Sequence, residues 1–219
     1  LIDPMCGSGT LLLEGAMMAA DMAPGLWRQH WGFEKQAWHK PSQWEALVSD
    51  AQVRAQRGRE RQLPEIRGYD ADPKVIYKAE ANIERAGLER QVRVSCKALA
   101  DLRKPSHRPL ERGLVICNPP YGERLGEREQ LPALYRELGE ALVREFSGWQ
   151  AAGFTADKEL GRAVGLRSHK RYALYNGALP SVLLLFDLAP DNHLQDAAPA
   201  KPEAAQLSGG AEMFGNRLR

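Results

Sequence analysis

Short apolar runs that suit β-strands alternate with amphipathic stretches that suit α-helices along most of this 219-residue chain. The strand-like runs are LID at the start, EIRGYD, QVRVSC, LVIC and WQAAGFTA, and two more flank Asn176-Gly177, a dipeptide typical of a hairpin turn. Strands joined through helices run parallel, whereas a hairpin joins antiparallel strands. The sequence therefore predicts an α/β fold with a mostly parallel, seven-stranded sheet that ends in an antiparallel hairpin.

Helical periodicity and capping signals complete the expected organisation. Helices are predicted over Thr10–Met22, within 41–61, from Pro73 to about Ala86 and over Gln130–Phe146. Residues 23–64, which contain the second of these helices, form a long polar and Trp-rich excursion between the first two strands. Within the tail, 190–219, the part up to residue 210 has no apolar period and is rich in Ala, Pro and Gly, which is typical of a linker, whereas AEMFGNRLR at 211–219 regains apolar and basic residues that could begin another ordered unit. We therefore expect one domain over 1–189, followed by a linker.

Composition sets broad limits on location and chemistry. The net charge of +2 neither requires nor excludes a nucleic-acid partner. Three cysteines without CxxC spacing indicate a reducing compartment, and five scattered histidines predict no metal site. The longest apolar run, Val182–Phe186, is too short to span a bilayer, and no signal peptide is visible. We expect a cytoplasmic protein that does not enter a membrane.

The first strand is followed at once by the glycine-rich segment DPMCGSGT. Gly7 and Gly9 allow a sharp turn and let a ligand approach the backbone, which a Cβ atom would obstruct. The helix that follows offers free N–H groups to a carboxylate or phosphate, and in open parallel sheets ligands bind where the strand order reverses. The segment predicts a ligand site, although a plain strand-to-helix turn would also use glycine.

An acidic residue ends the second strand, in the segment GYDAD. Asp70 is placed to accept both hydroxyl groups of a ribose, as an acid at this position does in nucleotide-binding folds. Such an acid ordinarily lies about 20 residues beyond the glycines, whereas Asp70 lies 61 residues beyond Gly9 because the excursion intervenes. Asp70 and Asp72 could instead cap the helix that begins at Pro73, and Asp72 fits the cap better. We therefore assign Asp70 to a nucleoside-containing cofactor.

Asn118-Pro119-Pro120-Tyr121 directly follows the buried fourth strand, which this topology places beside the first. The prolines stiffen the turn, and the Asn118 side-chain oxygen and the Pro119 carbonyl can accept hydrogen bonds from an exocyclic amine. Tyr121 offers a flat face on which a base can stack. Such an arrangement orients a poorly nucleophilic amine toward a methyl donor by positioning and electrostatics. The alternative is a proline-stiffened loop, but together with the glycine turn and Asp70 the motif predicts an amine methyltransferase.

The segments DPMCGSGT, GYDAD and NPPYGERL together resemble motifs of the Rossmann-like, S-adenosylmethionine-dependent amino-methyltransferases. NPPYGERL, with HWGF in the excursion and YNG at the hairpin, is similar more narrowly to the bacterial large-subunit (23S) rRNA guanine-N2 methyltransferases. This resemblance implies methylation of guanine N2 in rRNA with S-adenosylmethionine as cofactor and without a metal. Adenine-N6 and glutamine-N5 methyltransferases share the Asn-Pro-Pro-Tyr motif and remain alternatives, as does a non-catalytic RNA-binding module of this fold.

The resemblance also implies domains outside the chain. The sequence opens inside a strand without an initiator Met, so we expect further chain before Leu1. Family members carry a THUMP domain upstream of the methyltransferase domain. In bifunctional members a second methyltransferase domain follows, joined through a segment like MFGNRLR. We expect the same arrangement here.

Carried over by position, the family implies two groups of site residues. The target amine would be bound by Asn118, Pro119, Pro120 and Tyr121. The cofactor would be bound by Asp3 at its amino end, by Gly7, Ser8 and Gly9 along its methionine part, by Asp70 at its ribose, and also by Pro4 and Thr10. Family members place an Asp near the adenine soon after the third strand, where this chain has Ala98, so Asp101 is the candidate substitute.

Basic and aromatic clusters are the remaining features that could serve RNA. The basic clusters lie at 54–61, 103–112 and 168–172, and four tryptophans crowd the excursion. They could contact phosphates and bases, but solvated helix faces and a small satellite core are the simpler interpretations and the ones we favour. Cys6 and Cys117 lie at strand ends near the predicted site, where we expect them to pack rather than to react.

Overall fold

A mixed seven-stranded sheet forms the centre of the protein in the computed structural model, which describes residues 1–107, 109–121 and 129–194. The strands alternate with helices along the chain, as predicted. In chain order they are β1 (Ile2–Asp3), β2 (Ile66–Asp70), β3 (Val92–Cys96), β4 (Leu114–Cys117), β5 (Gln150–Thr155), β6 (Lys170–Asn176) and β7 (Leu179–Asp187).

The strand order is β3-β2-β1-β4-β5-β7-β6, and it reverses direction at β1. The parallel strand β1 pairs with β2 on one side and β4 on the other, where Ile2 lies opposite Val115. The strand β7 runs antiparallel between β5 and β6. The predicted α/β class, the seven strands, the closing hairpin and the adjacency of β1 and β4 are all confirmed. The carboxyl ends of β1 and β4 consequently meet at one edge of the sheet.

In the described ranges, five α-helices flank the sheet, and two short 3-10 turns lie at Gly32–Lys35 and Leu99–Asp101. The helices are α1 (Thr10–Ala19), α2 (Pro41–Glu60), α3 (Pro73–Arg85), α4 (Leu131–Phe146) and α5 (Lys158–Ala163). The helix α5 was not predicted, because six residues are too few to show a 3.6-residue period. It begins where the Asp157 carboxylate accepts hydrogen bonds from the backbone N–H groups of Glu159 and Leu160.

Two buried clusters hold the helices against opposite faces of the sheet. One joins α4 and α5 to the strands and includes Ile2 of β1, and the other joins α1 and α3 to β2 and β3. Leu1 packs against the second cluster while Ile2 belongs to the first, as expected for successive residues of a strand. The start of the chain at β1 is thus packed against buried side chains on both faces of the sheet. Within the described ranges, none of the helices combines the length and apolar character needed to cross a bilayer.

The contact between α4 and the end of α5 has no room for a side chain at Gly139. A Cβ atom there would lie 1.9 Å from the Val164 carbonyl oxygen, so the helices must separate. We expect Gly139→Ala to lower the free energy of unfolding by about 2 kcal/mol, despite the better helix propensity of alanine. Glu140→Ala, at an exposed position on the same helix, is the control and should change it by less than about 0.5 kcal/mol. Equal stability of the two variants in urea denaturation would contradict the predicted packing.

The excursion forms an aromatic cluster that includes Trp44 of α2. Rings of Trp31, Phe33 and Trp44 lie 4.9 to 5.8 Å apart between centroids, in stacked and edge-on contacts. Trp38 stacks on Phe33 but stays 69 % exposed, and Trp27 is 46 % exposed. The aromatic contacts agree with the satellite-core interpretation for the inner three rings.

Candidate active site

The glycine turn at the end of β1 has the left-handed backbone that its sequence predicts. Gly7 has φ +53° and Gly9 has φ +83°, values that side-chain-bearing residues rarely adopt. The Gly9 N–H donates to the Cys6 carbonyl at 2.8 Å, and Gly9 is the N-cap residue directly before α1. Within the described part of the chain no side chain caps α1. The first-turn N–H groups of α1 are therefore available to a ligand beside the turn.

Asp70 ties the end of β2 to the glycine turn. Its Oδ2 accepts a hydrogen bond from the Gly7 N–H, and its Oδ1 accepts one from the Asp72 N–H, both at 3.0 Å. The Asp72 carboxylate accepts a hydrogen bond from the Lys74 N–H at 2.8 Å and so caps α3. This confirms the prediction that Asp72 is the helix cap. Each carboxylate oxygen of Asp70 retains acceptor capacity after these bonds. Two adjacent hydroxyl groups could therefore still bind to Asp70, and that role remains a prediction.

A buried acid lies beneath the turn. Asp3 is 1 % exposed, and its Oδ1 accepts a hydrogen bond from the Met5 N–H at 3.1 Å. Burial raises the pKa of Asp3 to about 7; the Met5 hydrogen bond opposes this rise, and the negative charge of Asp70 adds to it. An acid in this state is readily ionised by a positive group brought close to it. That property matches the ammonium end of an amino acid.

The Asn118–Tyr121 segment follows β4 at the same sheet edge. Asn118 and Pro120 are exposed, Pro119 is buried and Tyr121 is half-buried. Behind the segment, the buried Tyr135 hydroxyl lies 3.5 Å from the Pro119 carbonyl oxygen and 3.4 Å from Thr155 Oγ1. A carbonyl oxygen has two lone pairs, so Pro119 keeps one acceptor position. The exposed Asn118 amide is free of hydrogen bonds to other described residues and can meet a ligand.

The sheet brings the predicted site residues to one edge. Pro4 and the Gly7–Gly9 turn follow β1, and Thr10 is the first residue of α1. Asp101 ends the 3-10 turn after β3 and is exposed at the same edge, so its predicted contact with adenine stays open. The GERL part of the motif, residues 122–125, lies outside the described residues.

Two asparagines support this site and were not among the predicted site residues. Asn82 of α3 donates to the Ser8 carbonyl at 2.9 Å and so holds the glycine turn from the side. Asn176, at the end of β6, donates through Nδ2 to the Tyr121 hydroxyl oxygen at 2.5 Å. Asn82 lies 74 residues from Ser8 in the sequence, and Asn176 lies 55 residues from Tyr121. No local pattern in the sequence signals such contacts; only the strand order reveals them.

The two cysteines at the site are buried and protonated. Burial raises the pKa of Cys6 to about 12 and also raises the pKa of Cys117, so neither is a thiolate at neutral pH. This agrees with a packing role. Among the described residues, no group of three or more His, Cys, Asp or Glu side chains is arranged to hold a metal ion.

Comparisons with known proteins agree with this geometry. The chain is 49 % identical over 228 residues to a protein of Stutzerimonas stutzeri named Ribosomal RNA large subunit methyltransferase K/L. It is 46 % identical over 243 residues to the protein of that name from Cellvibrio japonicus. Both alignments cover all of this chain but only 31 and 32 % of the relatives, so the chain spans about a third of their length.

A solved structure shares the fold, and a family model covers most of the chain. The structure is SMU.472, solved in complex with SAH; it is 31 % identical with a TM-score of 0.70, over 90 % of this chain and 48 % of that one. The family model described as "RMKL-like, methyltransferase domain" matches residues 1–184. The chain therefore belongs to the RMKL-like methyltransferase domain family.

Proposed function

We propose that this domain transfers a methyl group from S-adenosylmethionine to the N2 amine of a guanine in large-subunit ribosomal RNA. The observation that carries the proposal is the meeting of two strand ends. The glycine turn after β1, bonded to Asp70, lies beside the Asn118–Tyr121 segment after β4. A donor site and an amine site on neighbouring strands are what direct methyl transfer requires. The names of the two relatives described above support ribosomal RNA as the substrate.

The cofactor fits the residues at the end of β1 and β2. S-adenosylmethionine, expected from the sequence, is supported by family membership and by the relative solved with its product, SAH. Its methionine part would lie along Gly7–Gly9, its ammonium group near Asp3 and its ribose hydroxyls on Asp70. When bound, the cofactor supplies a methyl group activated by a positive sulfur. The remaining work of the site is done by the chain's own groups.

Those groups orient the target amine. The Asn118 side-chain oxygen and the Pro119 carbonyl would accept the two amine hydrogens, which favours a pyramidal nitrogen with its lone pair directed outward. Tyr121 would stack on the base and fix its plane. No strong general base is needed, because once the nitrogen carries the methyl group one of its own protons becomes acidic and can be released to water. The Tyr135 hydroxyl behind Pro119 steadies the carbonyl from the protein interior.

The buried Asp3 gives the protein a characteristic pH dependence. Because its pKa is about 7 in the folded protein against an ordinary 3.8, the folded state holds a proton that the unfolded state releases between these values. Stability from this group is complete below about pH 4 and is lost as the pH rises to about 7. The loss is on the order of 4 kcal/mol. We therefore expect Asp3→Asn, which keeps an acceptor for Met5, to be more stable than the natural protein at pH 8 but not at pH 4.

Urea denaturation at the two pH values measures this difference, in the absence of cofactor. Asp50→Asn, at an exposed acid on α2, serves as the control and should follow the natural protein at both. If Asp3→Asn and the natural protein lost stability in parallel between pH 4 and pH 8, the acid would be ionised in the folded state throughout.

Nucleoside mass spectrometry tests the substrate assignment. Large-subunit ribosomal RNA lacking modifications is incubated with the intact protein and S-adenosylmethionine and then digested. We expect N2-methylguanosine to appear. N6-methyladenosine would favour the adenine alternative. In a parallel incubation with ribosomal proteins in place of the RNA, methylated glutamine in the peptide digest would favour the glutamine alternative. Saturable RNA binding without any methyl transfer would identify a binding module.

The expected domains and location of the whole protein are part of the same proposal. We propose an upstream THUMP domain and, in a bifunctional protein, a downstream methyltransferase domain, which agrees with relatives about three times as long. A cytoplasmic location follows from a ribosomal RNA substrate. Segment 195–219, which includes most of the expected linker, lies outside the described residues.

A further inference from the structure

One side chain of the hairpin formed by β6 and β7 contacts the Asn118–Tyr121 segment. Asn176 Nδ2 donates to the Tyr121 hydroxyl oxygen at 2.5 Å, and this bond joins the hairpin end to the Asn118–Tyr121 segment. We propose that Asn176 is a positioning residue that fixes the Tyr121 ring for stacking on the target base. The inference deepens the proposed function and rests on it.

The strand register explains why the hairpin extends this far. The last residue of β5, Thr155, pairs with Val182, whereas β7 begins three residues earlier at Leu179, opposite Asn176. At about 3.3 Å per residue, the hairpin projects roughly 10 Å beyond the carboxyl end of β5. Gly177, with φ +59°, allows the tight turn between the strands. Asn176 therefore stands beyond the sheet edge at which the site lies.

The contact acts on the freedom of the Tyr121 ring. Tyr121 is only half-buried, so packing alone leaves its two side-chain torsions partly free. A hydrogen bond at the far end of the ring holds the hydroxyl in place, and so fixes the direction in which the ring points from the backbone. A base that stacks on this ring and must present its amine in line with a methyl donor depends on where the ring lies, since small misplacements cost rate. Loss of the bond should therefore lower the rate of methyl transfer more than it lowers the stability of the folded protein.

The test is a double-mutant cycle in the intact protein. Asn176→Ala removes the donor, Tyr121→Phe removes the hydroxyl but keeps the stacking ring, and the third variant combines both changes. Tyr175→Phe removes the hydroxyl of a 74 % exposed tyrosine on the same hairpin and is the matched control. The measured quantities are kcat and KM for methylation of unmodified large-subunit ribosomal RNA, the affinity for S-adenosylmethionine, and Tm.

We expect each single variant to lower kcat about five- to tenfold and the double variant to lower it no further, because both changes remove one interaction. Tm, cofactor affinity and the kcat of the control should stay at the natural values. A natural kcat for Asn176→Ala, or losses that multiply in the double variant, would overturn the inference while the natural protein remains active. If the natural protein itself methylates no ribosomal RNA, the proposed function fails, and the inference fails with it.

Discussion

Asn118→Ala should lower the rate of methyl transfer by about 10²- to 10³-fold, the size of effect seen when one charge-stabilising contact to a reacting group is removed. The reason is that the exposed amide at the end of β4 is the side-chain acceptor proposed for the target amine. Without it the amine can rotate, and its lone pair is no longer aimed at the methyl group. Single-turnover transfer of radiolabelled methyl groups to ribosomal RNA measures the loss.

Cofactor affinity separates this effect from general damage. Asn118 lies after β4, whereas the proposed cofactor residues follow β1 and β2, so Asn118→Ala should bind S-adenosylmethionine as the natural protein does. Asn192→Ala is the matched control, because Asn192 donates to the carbonyls of Arg167 and Asp187, and Asp187 pairs with the first residue of β5 at the opposite sheet edge. A rate for Asn118→Ala within twofold of the control would refute the role of the amide.

Asp70→Ala should weaken binding of S-adenosylhomocysteine by about 10- to 150-fold. A hydrogen bond to a charged group contributes roughly 1.5 to 3 kcal/mol, and every 1.4 kcal/mol is a factor of ten in affinity. The substitution removes the proposed hydrogen bonds from the ribose hydroxyls. It also removes the hydrogen bond that the carboxylate accepts from the Gly7 N–H at 3.0 Å. Isothermal titration calorimetry measures the affinity directly.

Asp72→Ala is the natural control for this measurement. It removes an acid two residues away that caps α3, so we expect a loss of about 1 kcal/mol in stability and nearly unchanged cofactor affinity. The reverse pattern, with affinity falling in Asp72→Ala and kept in Asp70→Ala, would exchange the roles assigned to the two acids.

The sequence predicts most of the sheet because its signals are local. Alternating apolar runs mark the strands, and Asn176-Gly177 marks the hairpin, so the order of elements follows from topology rules. Helix ends are less well marked. The helix α1 ends at Ala19, whereas the sequence suggested Met22, because no Gly or Pro stands between them to signal a stop. Asp21 then adopts φ +53°, an uncommon conformation that no pattern announces.

The candidate site could be proposed from its residue types, but its internal hydrogen bonds could not. Gly7, Asp70 and Asn118 could be proposed because each lies at or just after the carboxyl end of a strand at the binding edge. The link from Asn176 to Tyr121 joins residues that are distant in sequence, and it depends on the register between β5 and β7. A one-residue change in that register would move Asn176 to the other face of the sheet. Such contacts can be found only once the fold is known.

A crystal structure of the protein with S-adenosylhomocysteine bound tests the central claim most directly. We predict that the ligand's amino-acid part lies along the Gly7–Gly9 turn, that its ribose lies on Asp70, and that its sulfur faces the Asn118 amide across a gap that one methyl group and an amine would fill. A ligand bound away from the glycine turn, or an Asn118 amide turned into the protein interior with the ligand in place, would contradict the account.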